Sequence, residues 1–203
     1  MSIPPPAHFE PIVVSAESTV VAEFTPDPSA AAAYQSEAAL EAEFIRLLQG
    51  QAYEYVTLRT EAELLANLRV QLQVLNQVEF SDDEWQRLLS EYIAGANDGT
   101  VNKTVRIQED HVYAFRRDDG STKNIALIDK KSIHNNRLQV INQYEVEQGG
   151  DAGGAYANRY DVTILVNGLP LVHVELKRRG IDIREAFNQI DRYQRHSFWA
   201  GSG

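Results

Sequence analysis

The 203-residue chain contains no cysteine. Disulfides, thiolate metal sites and a cysteine nucleophile are thereby excluded. No apolar run approaches the roughly 20 residues that a membrane helix needs. The start, "MSIPPPAHFE", lacks the basic-then-apolar layout of a secretory signal. A cytoplasmic protein with no membrane partner is expected. Nothing matches the phosphate-cradling pattern G-x-x-x-x-G-K-[ST], and the glycine-rich stretch "QGGDAGGAYAN" does not supply it. A nucleotide site of that kind is therefore excluded. Positive charge is scarce in the first half, where residues 1–100 carry 4 Lys and Arg against 16 Asp and Glu. Residues 101–203 carry 15 against 13, so only this half offers cations to a phosphate backbone.

What is present is the profile of a folded domain, with 43% hydrophobic and 24% charged residues. Residues 1–33, with "PPP", "PDP" and an alanine run, read as an N-terminal arm carrying a strand or hairpin in "PIVVSAESTVVAEF". From Ser36, "SEAALEAEFIRLL" sets Leu40, Phe44, Ile45, Leu47 and Leu48 on an apolar helical stripe, with Ser36 as N-cap. "YEYVTL" looks like a strand. Two helices follow, opened by the capping boxes Thr60 to Glu63 and Ser81 to Glu84. After "NDGT" the chain becomes strand-like, in "HVYAF", "NIALID" and "LQVINQYEV".

The informative stretch is "YDVTILVNGLPLVHVELKRRG", residues 160–180. It reads as a hairpin. Charges in so apolar a setting must be paired, bound to metal or turned to solvent. Side chains alternate along a strand, so the loop decides whether the charges meet. A two-residue Asn167-Gly168 turn sets Asp161 across from Val174 and leaves Glu175 on the far face. A three-residue loop, Asn167 to Leu169, sets Asp161 opposite Glu175 with Lys177 two residues along. The odd register is expected, with Pro170 tolerated at a strand's start. Paired carboxylates bind hard divalent cations, most naturally Mg²⁺. A neighbouring lysine stabilises charge on a phosphate or positions an attacking water. Those parts suit phosphodiester hydrolysis.

The next segment, "DIREAFNQIDRYQRHSF", reads as a helix with Gln189 and Tyr193 four apart on one side. Arg184, Arg192 and Arg195 add cations to the cluster Lys177, Arg178 and Arg179, a surface suited to a DNA strand. His173 shares the carboxylate face by parity, although a packed, hydrogen-bonded role suits a lone strand histidine better. His8, His111, His134 and His196 show no ligand spacing. Asp129, Lys130 and Lys131 form a second charged group that a surface turn explains equally well.

Asp161, then Glu175-Leu176-Lys177, then Q-x-x-x-Y at Gln189 and Tyr193, resemble the PD-(D/E)xK nuclease superfamily in its RecB-like branch. More narrowly, "NRYDVTILVNGLPLVHVELKRRG" with "REAFNQIDRY" looks like the nuclease domain of the restriction (motor) subunit of type I restriction-modification enzymes. "YQSEAALEAEFIRLLQGQAYEYV", "LLANLRVQLQVLN" and "ALIDKKS" look like the same subunit, so the resemblance runs from about residue 34 to the end.

The resemblance implies an α/β, restriction-endonuclease-like fold, a mixed central sheet flanked by helices. It implies an endonuclease domain over 34–203, with a helical insertion at about 60–95 and a catalytic core at about 105–200. The domain would be cut off before an ATP-dependent DNA-translocating motor. Asp161 and Glu175 would hold Mg²⁺ with the Leu176 carbonyl as a further ligand, and Lys177 would be the catalytic lysine. Gln189 and Tyr193 would support the site and contact DNA; Arg178, Arg179, Arg184 and Arg192, from the basic cluster and helix, are the expected contacts to its phosphates. A glutamate from the first helix often joins such sites. Glu41 holds the usual place, with Glu37 one turn earlier as the alternative. The activity implied is cleavage of duplex DNA without sequence preference of its own, in concert with specificity and methyltransferase subunits. ATP and S-adenosylmethionine would belong to the larger complex. Alternatives are a docking or structural module of that complex, or a junction-resolving or repair nuclease of the same fold.

Overall fold

The computed structural model describes residues 11–14, 19–21, 36–95, 98–146 and 158–178. They divide between two units, Met1–Gln35 and Ser36–Gly203. In the first, β1 (Pro11–Val14) and β2 (Thr19–Val21) pair antiparallel.

The second unit is mixed α/β. Its central sheet has the order β3-β6-β7-β8, from β3 (Glu54–Tyr55), β6 (Leu138–Val146), β7 (Asn158–Val166) and β8 (Leu169–Val174). β3 runs parallel to β6 and the other pairs are antiparallel. Helix α1 (Glu37–Gly50) covers one face, and α2 (Glu61–Asn76) meets the other. On the α1 side Leu48 packs on Val140 and Val162, with Phe44, Ile45, Val174 and Leu176 around them. On the other side Leu64 of α2 meets Ile141, Tyr144, Tyr160 and Leu165. Each fully buried aliphatic side chain contributes on the order of 2 kcal/mol, so the helices are fixed to the sheet that carries the site.

All three expected helix starts are present. Ser36 accepts the backbone N–H of Ala39, and the Thr60–Glu63 and Ser81–Glu84 boxes both close reciprocally. The stripe on α2 serves two cores. Leu64 faces the sheet, while Leu68 and Leu72 join a larger cluster with Trp85 and Leu88 of α3 (Asp82–Leu88). That cluster also takes Phe115 and Ile125 from a separate antiparallel hairpin, β4 (Val112–Arg116) with β5 (Thr122–Ala126).

One element departs from expectation. Thr100–Gln108, in the part read as strand-like, is a helix, α4, entered through Gly99 in extended conformation. Its β-branched Thr100, Val101, Thr104, Val105 and Ile107 mask the helix in sequence. Tertiary bonds override that propensity: Arg106 donates to Asp98 at 2.5 Å and to the carbonyl of Tyr92.

Candidate active site

The register of β7 and β8 decides the site. Val166 pairs with Leu169, so the turn is the two-residue Asn167-Gly168, not the three-residue loop expected. Both residues stand at positive φ, 51° and 81°, as a type I′ turn requires. The turn is buried. Asn167 donates to the Leu127 carbonyl (3.0 Å) and to Asn136 (2.8 Å), and it accepts the N–H of Arg137 (2.8 Å). A Cβ on Gly168 would lie 2.6 Å from the Cα of Leu68, so α2 presses on the turn itself.

Left alone, that turn would set Asp161 across from Val174. A β-bulge corrects it. Leu165 pairs with Pro170 but Ile164 pairs with Val172, leaving Leu171 as the extra residue. Beyond it Val162 faces Val174, and one further step sets Asp161 across from Glu175. The expected register is present, reached by a bulge instead of a longer loop.

Asp161, Glu175 and Lys177 meet there. The N–H of Leu176 donates to Oδ2 of Asp161 at 2.9 Å, and Lys177 Nζ donates to Oε1 of Glu175. The Glu175 side chain is 3% exposed, and its Oε2 finds no hydrogen-bond partner among the described residues. Burial raises the Glu175 pKa above the ordinary carboxylate value. The Asp161 charge adds to the rise, while the Lys177 bond opposes it. Burial pulls Lys177 down, but its bond to Glu175 and the charges of Glu175, Glu37 and Asp161 outweigh that, leaving its pKa raised. Lys177 is thus held as a cation against Glu175.

Helix α1 supplies the next carboxylates. Oε1 of Glu37 accepts the N–H of Arg178 at 3.4 Å. Glu41, one turn on, is held by Asn142 Nδ2 at 2.5 Å and by Gln143 Nε2. Gln143 lies across from Asp161, between the pairs Asn142–Val162 and Tyr144–Tyr160. Among the described residues no three His, Asp or Glu side chains gather as a metal cage. Instead there are two adjoining carboxylates, one with a buried, unpartnered oxygen. That donor set fits a hard divalent cation whose shell is completed by a carbonyl and waters.

The family model described as type I restriction enzyme R protein N terminus matches residues 34–202. The chain belongs to that family. It is 48% identical over 190 residues to the type I restriction enzyme EcoprrI endonuclease subunit of Escherichia coli, covering 93% of this chain and 59% of that protein. It is 45% identical over 174 residues to the SauMSSORF170P endonuclease subunit of Staphylococcus aureus (strain MSSA476), covering 82% of this chain and 17% of that one. The SsaAORF53P endonuclease subunit of Staphylococcus saprophyticus is 42% identical over 170 residues. The chain thus spans 59% of the first relative's length and 17% of the second's.

Within this member of the family, Gln189, Tyr193, Arg179, Arg184 and Arg192 lie outside the described residues. Arg178 is exposed beside the site. His173 is a packed residue: its ring stacks on Tyr160 at 4.1 Å and bonds Thr163 at 2.9 Å. Although the residue as a whole is exposed, the ring loses water in that stack, which lowers its pKa to about 4. Asp129 is a turn residue, accepting the N–H groups of Lys131 and Ser132, and Lys130 donates to the Gln108 carbonyl. Sequence reasoning passed over Asn142 and Gln143. Their signal was a polar pair interrupting the apolar strand "LQVINQYEV".

Proposed function

We propose that this domain is a Mg²⁺-dependent endonuclease that hydrolyses phosphodiester bonds of duplex DNA without sequence preference of its own. The observation that carries the reading is the bulge-set register. It joins Asp161, Glu175 and Lys177 and leaves one buried Glu175 oxygen without a partner. Asp161 and Glu175 would hold the ion, with the Leu176 carbonyl beside them. When bound, Mg²⁺ supplies a Lewis acid and a more acidic water. Asp161 is oriented for this by its bond from Leu176. Lys177, kept protonated, steadies negative charge developing on the phosphate. Arg178 offers a cation at the edge of the site, with Arg179, Arg184, Arg192, Gln189 and Tyr193 next along the chain.

The curated relatives are named as endonuclease subunits of type I restriction enzymes. That kinship supports a place inside a type I restriction enzyme; methyltransferase and specificity subunits and an ATP-driven translocase are the partners this reading assigns to it. The test is Mg²⁺ titration by calorimetry beside plasmid nicking, on the wild type, Asp161→Asn and Lys177→Ala. Asp161→Asn should lose the ion. Lys177→Ala should keep it and lose cleavage by about 10²–10³-fold. Cation binding indifferent to Asp161 would favour a docking module of the same fold.

A further inference from the structure

Consecutive residues of a strand point to opposite faces, yet Asn142 and Gln143 both bond the same carboxylate on α1. The backbone explains how. Gln143 stands at φ 53°, a left-handed conformation that non-glycine residues seldom adopt within a strand. Pairing between β6 and β7 is interrupted at this residue and resumes at Tyr144–Tyr160. The kink turns two neighbouring amides to one side. Asn142 Nδ2 takes Oε1 of Glu41 and Gln143 Nε2 takes Oε2. Asn142 is itself fixed, since its Oδ1 accepts the Tyr55 hydroxyl at 2.8 Å. The irregular backbone falls opposite Asp161, where regular pairing would otherwise continue.

We propose that Asn142 and Gln143 are positioning residues for the cation site. They hold Glu41 as an outer carboxylate that bonds the hydration shell of a cation held by Asp161 and Glu175, not the cation itself. The inference rests on the metal reading above. Two observations beyond the acidic character of the place support it. Glu175 Oε2 is buried without a hydrogen-bond partner, although Lys177 occupies the other oxygen, so one oxygen of the site is left for a ligand. Glu41 does not gather with Asp161 and Glu175 into a three-carboxylate cage, and both its oxygens are already gripped by amide donors. Mg²⁺ gives up its waters reluctantly, so a carboxylate held one water away suits it.

The test is Mg²⁺ calorimetry with parallel thermal melts on the full chain and on Gln143→Gly, Gln143→Asn, Glu41→Gln, the Gln143→Gly/Glu41→Gln double variant, and Asp161→Asn. Glycine keeps the left-handed backbone without the amide, and asparagine keeps both the backbone tolerance and an amide. Gln143→Gly and Glu41→Gln should each weaken Mg²⁺ about 10-fold. The double variant should be no worse than either single one, because one residue acts through the other. Gln143→Asn should recover part of the loss. Gln143→Gly with wild-type affinity, or losses that multiply in the double variant, would overturn the positioning role. Glu41→Gln abolishing binding as completely as Asp161→Asn would make Glu41 a direct ligand and overturn the outer role. If Asp161→Asn leaves binding intact, the metal reading itself has failed and this inference with it.

Discussion

Leu171 stands opposite no residue of β7, and that extra position sets Glu175 across from Asp161. A one-residue slip moves every following side chain to the other face of a sheet. Deleting Leu171 alone should remove the bulge yet keep Glu175 across from Asp161, because the unbulged two-residue hairpin gives the same pairs, and Mg²⁺ binding should persist. Deleting Leu171 and Val172 together should turn Glu175 toward the α1 core, where Val174 now packs, and abolish Mg²⁺ binding. Calorimetry on the two deletions separates register from the bulge itself; loss of binding in the single deletion would overturn this account of the register.

The site opposes the stability of the fold. Glu175 has a raised pKa, so it favours folding when protonated, and that contribution is lost as pH rises through its folded-state value. The rise persists despite the Lys177 bond, so an uncharged isostere is favoured at neutral pH. Glu175→Gln should stabilise the protein at pH 7 by on the order of 1 kcal/mol while abolishing cleavage. The advantage should shrink as pH falls toward the carboxylate range. Urea melts across pH would check it; a variant less stable than the wild type at pH 7 would contradict the account.

Gly168 is required twice over, by its φ of 81° and by the backbone of Leu68 within 2.6 Å of any added Cβ. Neither demand relaxes by moving a flexible side chain. Gly168→Ala should cost at least about 2 kcal/mol, and it should disturb the hairpin that carries the site. Its melting temperature and Mg²⁺ affinity should fall together. Asn167→Asp should also destabilise, since the amide donates to the Leu127 carbonyl and to Asn136.

Local chemistry was legible in the sequence wherever its cause is local. The Ser36, Thr60 and Ser81 caps need only residues three apart. Strand β6 was readable from its own run; the facing of Asp161 and Glu175 was expected from alternation, but through a three-residue loop that the chain does not form. What escaped depends on contacts distant in sequence. Thr100–Gln108 looked strand-prone because Arg106's partners lie outside it. The bulge at Leu171 was hidden because bulge and longer loop give the same register. Gln143's left-handed backbone makes sense only beside Glu41, 102 residues earlier.

Glu84 shows the same separation of local and distant causes in its response to acid. Its side chain is 2% exposed; it completes the capping box at Ser81 and accepts from Arg117 at 2.7 Å and from the N–H of Asp118 at 2.9 Å. The Arg117 bond foremost, with these N–H groups, lowers its pKa, against a smaller opposing effect of burial. A carboxylate depressed in the folded state stabilises above its unfolded pKa of about 4.3 and ceases to as pH falls through the folded value. Glu84→Gln should thus cost roughly 1–3 kcal/mol at pH 7. The gap between wild type and variant should narrow steadily below about pH 4. Denaturant unfolding of both proteins between pH 3 and 7 measures it. A gap that stays constant with acid would mean that Glu84 contributes through packing, with its charge irrelevant.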